Sequence, residues 1–185
     1  MKTETKTYFT SDWHLFHAKI IQYSKRPFKD SAEMNRKILD NMNSVITEDD
    51  WLYFLGDMAL TRNPKNLIYW LDGLRCQNIC YIKGNHEQST ETISDRFHWY
   101  KDMAEIEVGQ QRIVLCHYAM RTWHWMNRNT WQLYGHSHGS LPDDPNLLSM
   151  DVGVDTNNFM PYSFEDIAKR MQKKTFVPVD HHGRR

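Results

Sequence analysis

Short apolar runs that stop abruptly in polar residues recur along this chain. Tyr8-Phe9-Thr10 meets Ser11-Asp12-Trp13-His14, and Trp51-Leu52-Tyr53-Phe54-Leu55 meets Gly56-Asp57. Ile79-Cys80-Tyr81-Ile82 leads to Gly84-Asn85-His86-Glu87, Ile113-Val114-Leu115-Cys116 to His117, and Trp131-Gln132-Leu133-Tyr134 to Gly135-His136-Ser137-His138. Continuous apolar runs of this length predict strands buried on both faces. Helical patterns lie between them. Asp30 and Glu33 stand at capping-box spacing ahead of Met34, Ile38, Leu39 and Met42, which predicts a helix from Asp30 to about Ile46. A short helix is expected over Asn66 to Leu74, after Pro64. Another is expected over Ser163 to about Lys173, with Ser163 as N-cap and Phe164, Ile167, Ala168 and Met171 inward. Alternating strands and helices predict an α/β sandwich, and ligands of such folds bind at the carboxyl ends of the strands. All five polar clusters fall there.

The 185 residues suit one domain, expected over 1–176, with a solvated tail over 177–185 that includes His181 and His182. No apolar stretch is long enough for a membrane span, and Met1-Lys2-Thr3-Glu4 does not open a signal peptide. Three cysteines, Cys76, Cys80 and Cys116, are too few and odd in number for a disulfide framework; they read as buried thiols in a reducing cytoplasm. Equal numbers of basic and acidic residues, 23 of each, argue against binding extended nucleic acid, which needs many phosphates neutralised. A small phosphorylated substrate is compatible. Nothing in the sequence calls for an obligate protein partner.

Ten histidines stand out against this neutral background. The strand ends collect Asp12, His14, Asp57, Asn85, His86, His117, His136 and His138. Imidazole with carboxylate suits first-row metals such as manganese, iron, cobalt, nickel or zinc. Asp12 and His14 are two apart, as are His136 and His138, so on extended backbone each pair points to one side. The set is too large for one ion and suits two ions sharing a carboxylate.

The series Asp12-x-His14, Gly56-Asp57, Gly84-Asn85-His86-Glu87, His117 and Gly135-His136-x-His138 resembles the calcineurin-like metallophosphoesterases, with every block in order. The resemblance implies a four-layer α/β/β/α sandwich carrying two divalent ions, manganese first among the candidates. It implies that Asp12, His14 and His138 hold one ion, that Asn85, His117 and His136 hold the other, and that Asp57 bridges them. A pair of such ions clamps a phosphoryl group and activates the water between them. His86 would then protonate the leaving oxygen. The second block departs from the wider family: Leu60 stands where many phosphatases carry a second Asp, which removes the usual carboxylate partner of His86. Glu87 or a backbone carbonyl is the expected substitute. The departure sets protein phosphatases aside and resembles the small uncapped bacterial and phage-type phosphoesterases.

His17, Arg26 and Arg121 are candidate substrate contacts, Arg26 through a bidentate grip on phosphate. Trp123 and Trp125, beside His117, would either stack a nucleobase or pack their loop onto the body. His98 reads as a packed histidine, and Met150 to Asp155 as a structural strand beside the site. The expected function is a metal-dependent phosphodiesterase acting on small nucleotide-like phosphoesters. The alternatives are a nuclease acting on single strands or RNA ends, a phosphomonoesterase, and a non-catalytic metal-binding scaffold.

Overall fold

Residues 5–180 are described by the computed structural model, and the counts below refer to them. The five apolar runs form β1 (Thr7–Thr10), β2 (Trp51–Phe54), β3 (Asn78–Ile82), β6 (Gln111–Cys116) and β7 (Trp131–Tyr134). Four further strands are β4 (Trp99–Lys101), β5 (Met103–Val108), β8 (Ser149–Asp151) and β9 (Tyr162–Ser163). They make two sheets, ordered β4-β3-β2-β1-β9 and β5-β6-β7-β8. β1 to β4 run parallel, and so do β6 to β8. Parallel register brings every carboxyl end of a sheet to one edge, which gathers the polar clusters.

The first sheet is covered on both faces, and its side chains alternate accordingly. Tyr8, Leu52, Phe54, Ile79 and Tyr81 pack on helical side chains that include Met34, Ile38, Met42, Leu67 and Leu71. Phe9, Leu55 and Ile82 instead join Ile113, Leu115, Leu133 and Met150 in a second core between the sheets. Because both faces are apolar, these strands read as unbroken runs rather than as an alternating pattern.

The helices are α1 (Ala18–Tyr23), α2 (Ser31–Val45), α3 (Pro64–Asp72) and α4 (Phe164–Met171). Asp30 caps α2 by accepting from the Glu33 N–H at 2.8 Å. The Glu33 carboxylate reaches the Lys29 N–H, one residue before the position a capping box would use. α3 begins at Pro64 itself, two residues ahead of the expected start, because a proline lacks only an N–H that the first turn leaves unpaired. Ser163 caps α4 by accepting from the Asp166 N–H, and Ile167 and Met171 insert into the inter-sheet core. None of the helices is long and apolar enough to cross a membrane.

Met150 to Asp155 is only partly a strand: β8 stops at Asp151, and Val154–Thr156 form a 3-10 turn after Gly153. Val177 donates its N–H to the Asn146 carbonyl at 3.0 Å, which carries the chain past α4 along the 145–146 loop. Residues 181–185 of the expected tail, His181 and His182 included, and the first four residues, Met1-Lys2-Thr3-Glu4, lie outside the described residues.

Arg26 corrects an expectation. It is 5% exposed and turned inward, not at the mouth of a cleft. Its Nε and Nη2 donate to the two Asp155 oxygens at 2.8 and 2.7 Å. Nη1 donates to the Trp13 carbonyl at 2.9 Å and Nη2 to the Asp12 carbonyl at 2.7 Å. The left-handed Lys25 (φ 51°) turns the chain back after α1, and the guanidinium then ties the β1 loop to the turn after β8. Its donors are occupied, so no bidentate grip on substrate is left. Arg26→Ala would strand the Asp155 carboxylate and two carbonyls, and should cost about 3–5 kcal/mol in urea unfolding. Arg26→Lys should recover only part of that loss, because an ammonium cannot reproduce the planar fork.

Candidate metal centre

The loops that follow the strands carry their key residues in an unusual conformation. Asp12, His14, Asp57, His136 and His138 all have positive φ, between 48° and 66°. This left-handed region is sparsely used outside glycine, with Asp, Asn and His the most tolerant side chains. Five such residues at one place mark strain held by surrounding structure, a pattern that clusters at functional sites. It also corrects the expected geometry. Neither i, i+2 pair lies on extended backbone, since β1 ends at Thr10 and β7 at Tyr134. The loops are held instead by cross-links: the Asp12 N–H donates to the Gly56 carbonyl and the His14 N–H to the Asp57 carbonyl, both at 3.0 Å.

The side chains converge. His14 Nε2 lies 3.9 Å from Asp12 Oδ1 and 3.6 Å from Asp57 Oδ2. His138 Nε2 is 3.9 Å from Asp12 Oδ1, and His117 Nε2 is 3.6 Å from Asp57 Oδ2. Asn85 Oδ1 stands 3.2 Å from His117 Nε2 and 2.9 Å from His136 Nδ1. Two groups therefore have metal-binding geometry, Asp12 with His14 and His138, and Asp12 with Asp57 and His117. Asn85 and His136 extend the second. Asp12 and Asp57, with the histidines between them, lie in one continuous polar seam.

Two buried atoms test whether divalent ions suit this seam. Asp12 Oδ1 and His14 Nε2 have no hydrogen-bond partner although both are shielded from water. A buried polar atom left unpaired costs about 1–3 kcal/mol, and more when charged. Both atoms point at the gap between the loops, and a cation there would satisfy them. Their spacing of 3.6 to 3.9 Å from neighbouring donor atoms is too long for hydrogen bonds. Tetrahedral donors about 2.0–2.2 Å from a shared ion stand about 3.3–3.6 Å apart, so small side-chain shifts would bring these atoms to that spacing.

The electrostatics agree. Burial pushes the Asp12 carboxyl up to about 8, against the pull of His138. Burial holds His14 far below the ordinary imidazole range, and His117 below it too, despite Asp57 beside it. Neutral imidazoles keep a free lone pair, the form in which histidine binds metal. His138 differs. Burial would lower it, yet the Asp155 hydrogen bond and Asp12 together raise it.

Several residues set the site without joining it. Asp155 accepts from His138 Nδ1 at 2.7 Å, which turns Nε2 toward Asp12. The Leu55 carbonyl does the same for His117, 2.6 Å from Nδ1. The sequence placed Asp155 on a segment beside the site but not its partner, because His138 lies 17 residues away and meets it only in the folded chain. Glu87 corrects another expectation, since its carboxylate takes no hydrogen bond from the His86 ring among the described residues. Its carboxylate accepts from the Asp57 and Gly84 N–H groups at 2.9 and 2.7 Å, and from the Tyr81 and Thr90 hydroxyls. It thereby staples the loop after β2 to the loop after β3. The glycines in the motifs also gain a reason. A Cβ on Gly135 would stand 2.6 Å from Asp12 Oδ2, and one on Gly84 2.8 Å from the Asp57 nitrogen.

The seam opens into a cleft lined by His17, Lys19, Ile20, Tyr23, Leu60 and His86 beside the converging side chains. The His86 N–H donates to Asp57 Oδ1 at 2.9 Å, and its ring sits 5.4 Å from that of His14. His17 is adjacent, Nδ1 3.4 Å from His14 Nδ1. Tyr118 packs edge-on against His117 and His136 at 5.0 and 4.8 Å, a neighbour the sequence signalled only by following His117. Arg121 is exposed and does not line the cleft. The tryptophans beside it take the packing alternative. Trp123 is buried in the inter-sheet core, and Trp125 is flanked by Arg112 and Arg128 at 4.0 and 5.2 Å. His98 rests on Trp51, ring centres 4.6 Å apart.

The chain is similar to several known proteins. The chain is 32% identical over 177 residues to the uncharacterised protein MJ1445 of Methanocaldococcus jannaschii, covering 93% of this chain and 94% of that one. A solved structure of a protein of unknown function, AQ665 of Aquifex aeolicus, superposes with a TM-score of 0.70 at 24% identity, covering 90% of this chain and 99% of the other. The structure of an archaeal phosphodiesterase superposes with a TM-score of 0.51 at 15% identity, over 86% and 99% of the two chains. Both likenesses speak to the fold. The sequence profile of the calcineurin-like phosphoesterases matches residues 5–183. With its α/β two-sheet fold and its seam of Asp and His at the strand ends, this chain belongs to the calcineurin-like phosphoesterase family, hydrolases of phosphoric ester bonds.

Proposed function

We propose that this protein is a phosphodiesterase that hydrolyses small nucleotide-like phosphoesters, with two divalent ions, manganese foremost, held by Asp12, His14, His138, Asp57, Asn85, His117 and His136. The observation that carries the reading is the makeup of the cleft wall. Lys19 is the single lysine or arginine among its lining residues, while Ile20, Tyr23 and Leu60 give it an apolar side. A doubly charged monoester would call for more cationic donors. A singly charged diester needs fewer, and its second organic group needs wall to rest on. Tyr23, 69% exposed, and Leu60, 37% exposed, supply that wall. Leu60 occupies the position where the carboxylate of many phosphatases would stand, so the departure in sequence becomes a contact surface.

The bound ions would supply Lewis-acid stabilisation of the phosphoryl oxygens and an activated water. The chain's own groups then have separate tasks. Asp155 and the Leu55 carbonyl keep the ligating nitrogens of His138 and His117 turned inward. Glu87 keeps Asp57 and the His86 loop in fixed relation. His86, half-buried on the cleft wall and anchored by its N–H to Asp57, hands a proton to the leaving oxygen. His17 lines the same cleft and adds to its polar groups. The three cysteines are free thiols, which suits the reducing cytoplasm included in this reading.

Two measurements test it. With manganese, bis-p-nitrophenyl phosphate should turn over faster than p-nitrophenyl phosphate, and the reverse order would reject the diesterase assignment. His86→Ala should lower kcat by about 10²–10⁴-fold while metal content by elemental analysis stays that of the parent. Undiminished turnover would remove His86 from the proton-donor role.

A further inference from the structure

A second cavity, of about 650 Å³, lies against Gly139, one residue beyond His138, and shares no lining residue with the metal cleft. Its walls combine apolar groups, Met150 and Leu141 among them, with three cations, Arg170, Lys173 and Lys174, and two carboxylates, Asp143 and Asp151. Tyr134 is only 4% exposed, yet its hydroxyl has no hydrogen-bond partner among the described residues and it lines this cavity. Burial, with Asp151 and Asp143 nearby, raises that hydroxyl to about 12, so it remains a donor. Arg170 lies over the Tyr162 ring at 4.9 Å, and neither it nor Lys173 has an acidic partner among the described residues. The other charges in the wall are already engaged. Lys174 pairs with Asp143 and donates to the Ser149 carbonyl at 2.6 Å. Asp151 accepts from the Gly153 and Gly139 N–H groups at 2.8 and 3.0 Å.

That leaves three donors with no protein acceptor among the described residues, two of them exposed cations, beside an apolar wall. From this geometry we infer that the cavity is a binding site for a small organic anion, a phosphate- or carboxylate-bearing molecule with an apolar body. Its acidic group would take hydrogen bonds from Arg170, Lys173 and the Tyr134 hydroxyl, and its body would rest on Met150 and Leu141. The inference does not depend on the phosphodiesterase reading, because none of these residues belongs to the metal centre. The cavity wall is nonetheless continuous with the loop carrying His138, through the Gly139 N–H on Asp151.

Isothermal titration of the manganese-loaded protein with phenylphosphonate, an anion whose P–C bond an esterase does not cleave, tests the site. The expected isotherm has two binding events. Arg170→Ala with Lys173→Ala, both on exposed side chains, should weaken one by about 10–100-fold and leave the other. Tyr134→Phe should weaken the same event by about tenfold. His136→Ala should instead remove the event at the metals. Benzoate should bind the cavity, while benzyl alcohol should not. An isotherm unmoved by the Arg170 and Lys173 substitutions, or benzyl alcohol binding as tightly as phenylphosphonate, would each overturn the inference, whereas loss of the His136-sensitive event alone would count against the metal centre and not the cavity.

Discussion

A buried carboxylate with one oxygen left bare organises this molecule. Asp12 is fully shielded; its Oδ2 takes the His136 N–H at 2.9 Å, and its Oδ1 takes nothing from the protein. Holding such a group out of water is costly unless a charge of opposite sign meets it. Its neighbours deepen the demand, since Asp57 is buried as well and His14, 3.9 Å from the bare oxygen, is held neutral by burial. The seam is thus a preformed place for cations rather than a self-contained hydrogen-bond network. A formal charge of zero for the chain conceals this, because divalent ions dominate the local field wherever they bind.

Most of the structure around the seam serves to hold it open. Arg26 grips Asp155 and the backbone of Asp12 and Trp13, and Asp155 in turn orients His138. Glu87 joins the loops after β2 and β3. Glycines let those loops approach one another where a Cβ would collide with a carboxylate. The left-handed backbone at five key residues is the conformational cost of this arrangement. Two hydrophobic cores, one on each face of the first sheet, supply the rigidity that sustains it.

The chemistry of the cleft follows from which charges this frame uses up. Arg26 is a strong phosphate binder in principle, yet its hydrogen bonds are internal. The cleft is left with one lysine, two histidines that line its wall and an apolar side built from Ile20, Tyr23 and Leu60. On the proposed reading the ions would supply the attraction to phosphate and leave the remaining wall to the organic part of the substrate. The same reasoning separates the second cavity, where cations remain unpaired, from the cleft.

The alternation of apolar runs and polar strand ends was legible from residues alone, and so was the seam. Strands buried on both faces must be continuously apolar, and metal ligands are restricted to a few residue types, so both leave a local signature. The capped helices were equally visible, because Asp30 and Ser163 act within three residues of themselves. The edge strands β4, β5 and β9 were not, since half-exposed strands carry weaker patterns and take their identity from a partner. Nor could spacing reveal the left-handed turns that aim Asp12, His14, His136 and His138, because positive φ is imposed by contacts from distant loops. Arg26, Glu87 and Asp155 show the division most plainly. Residue type told that each could grip an opposite charge or an N–H; only the folded chain, by bringing Arg26 and Asp155 together across 129 residues, decided which.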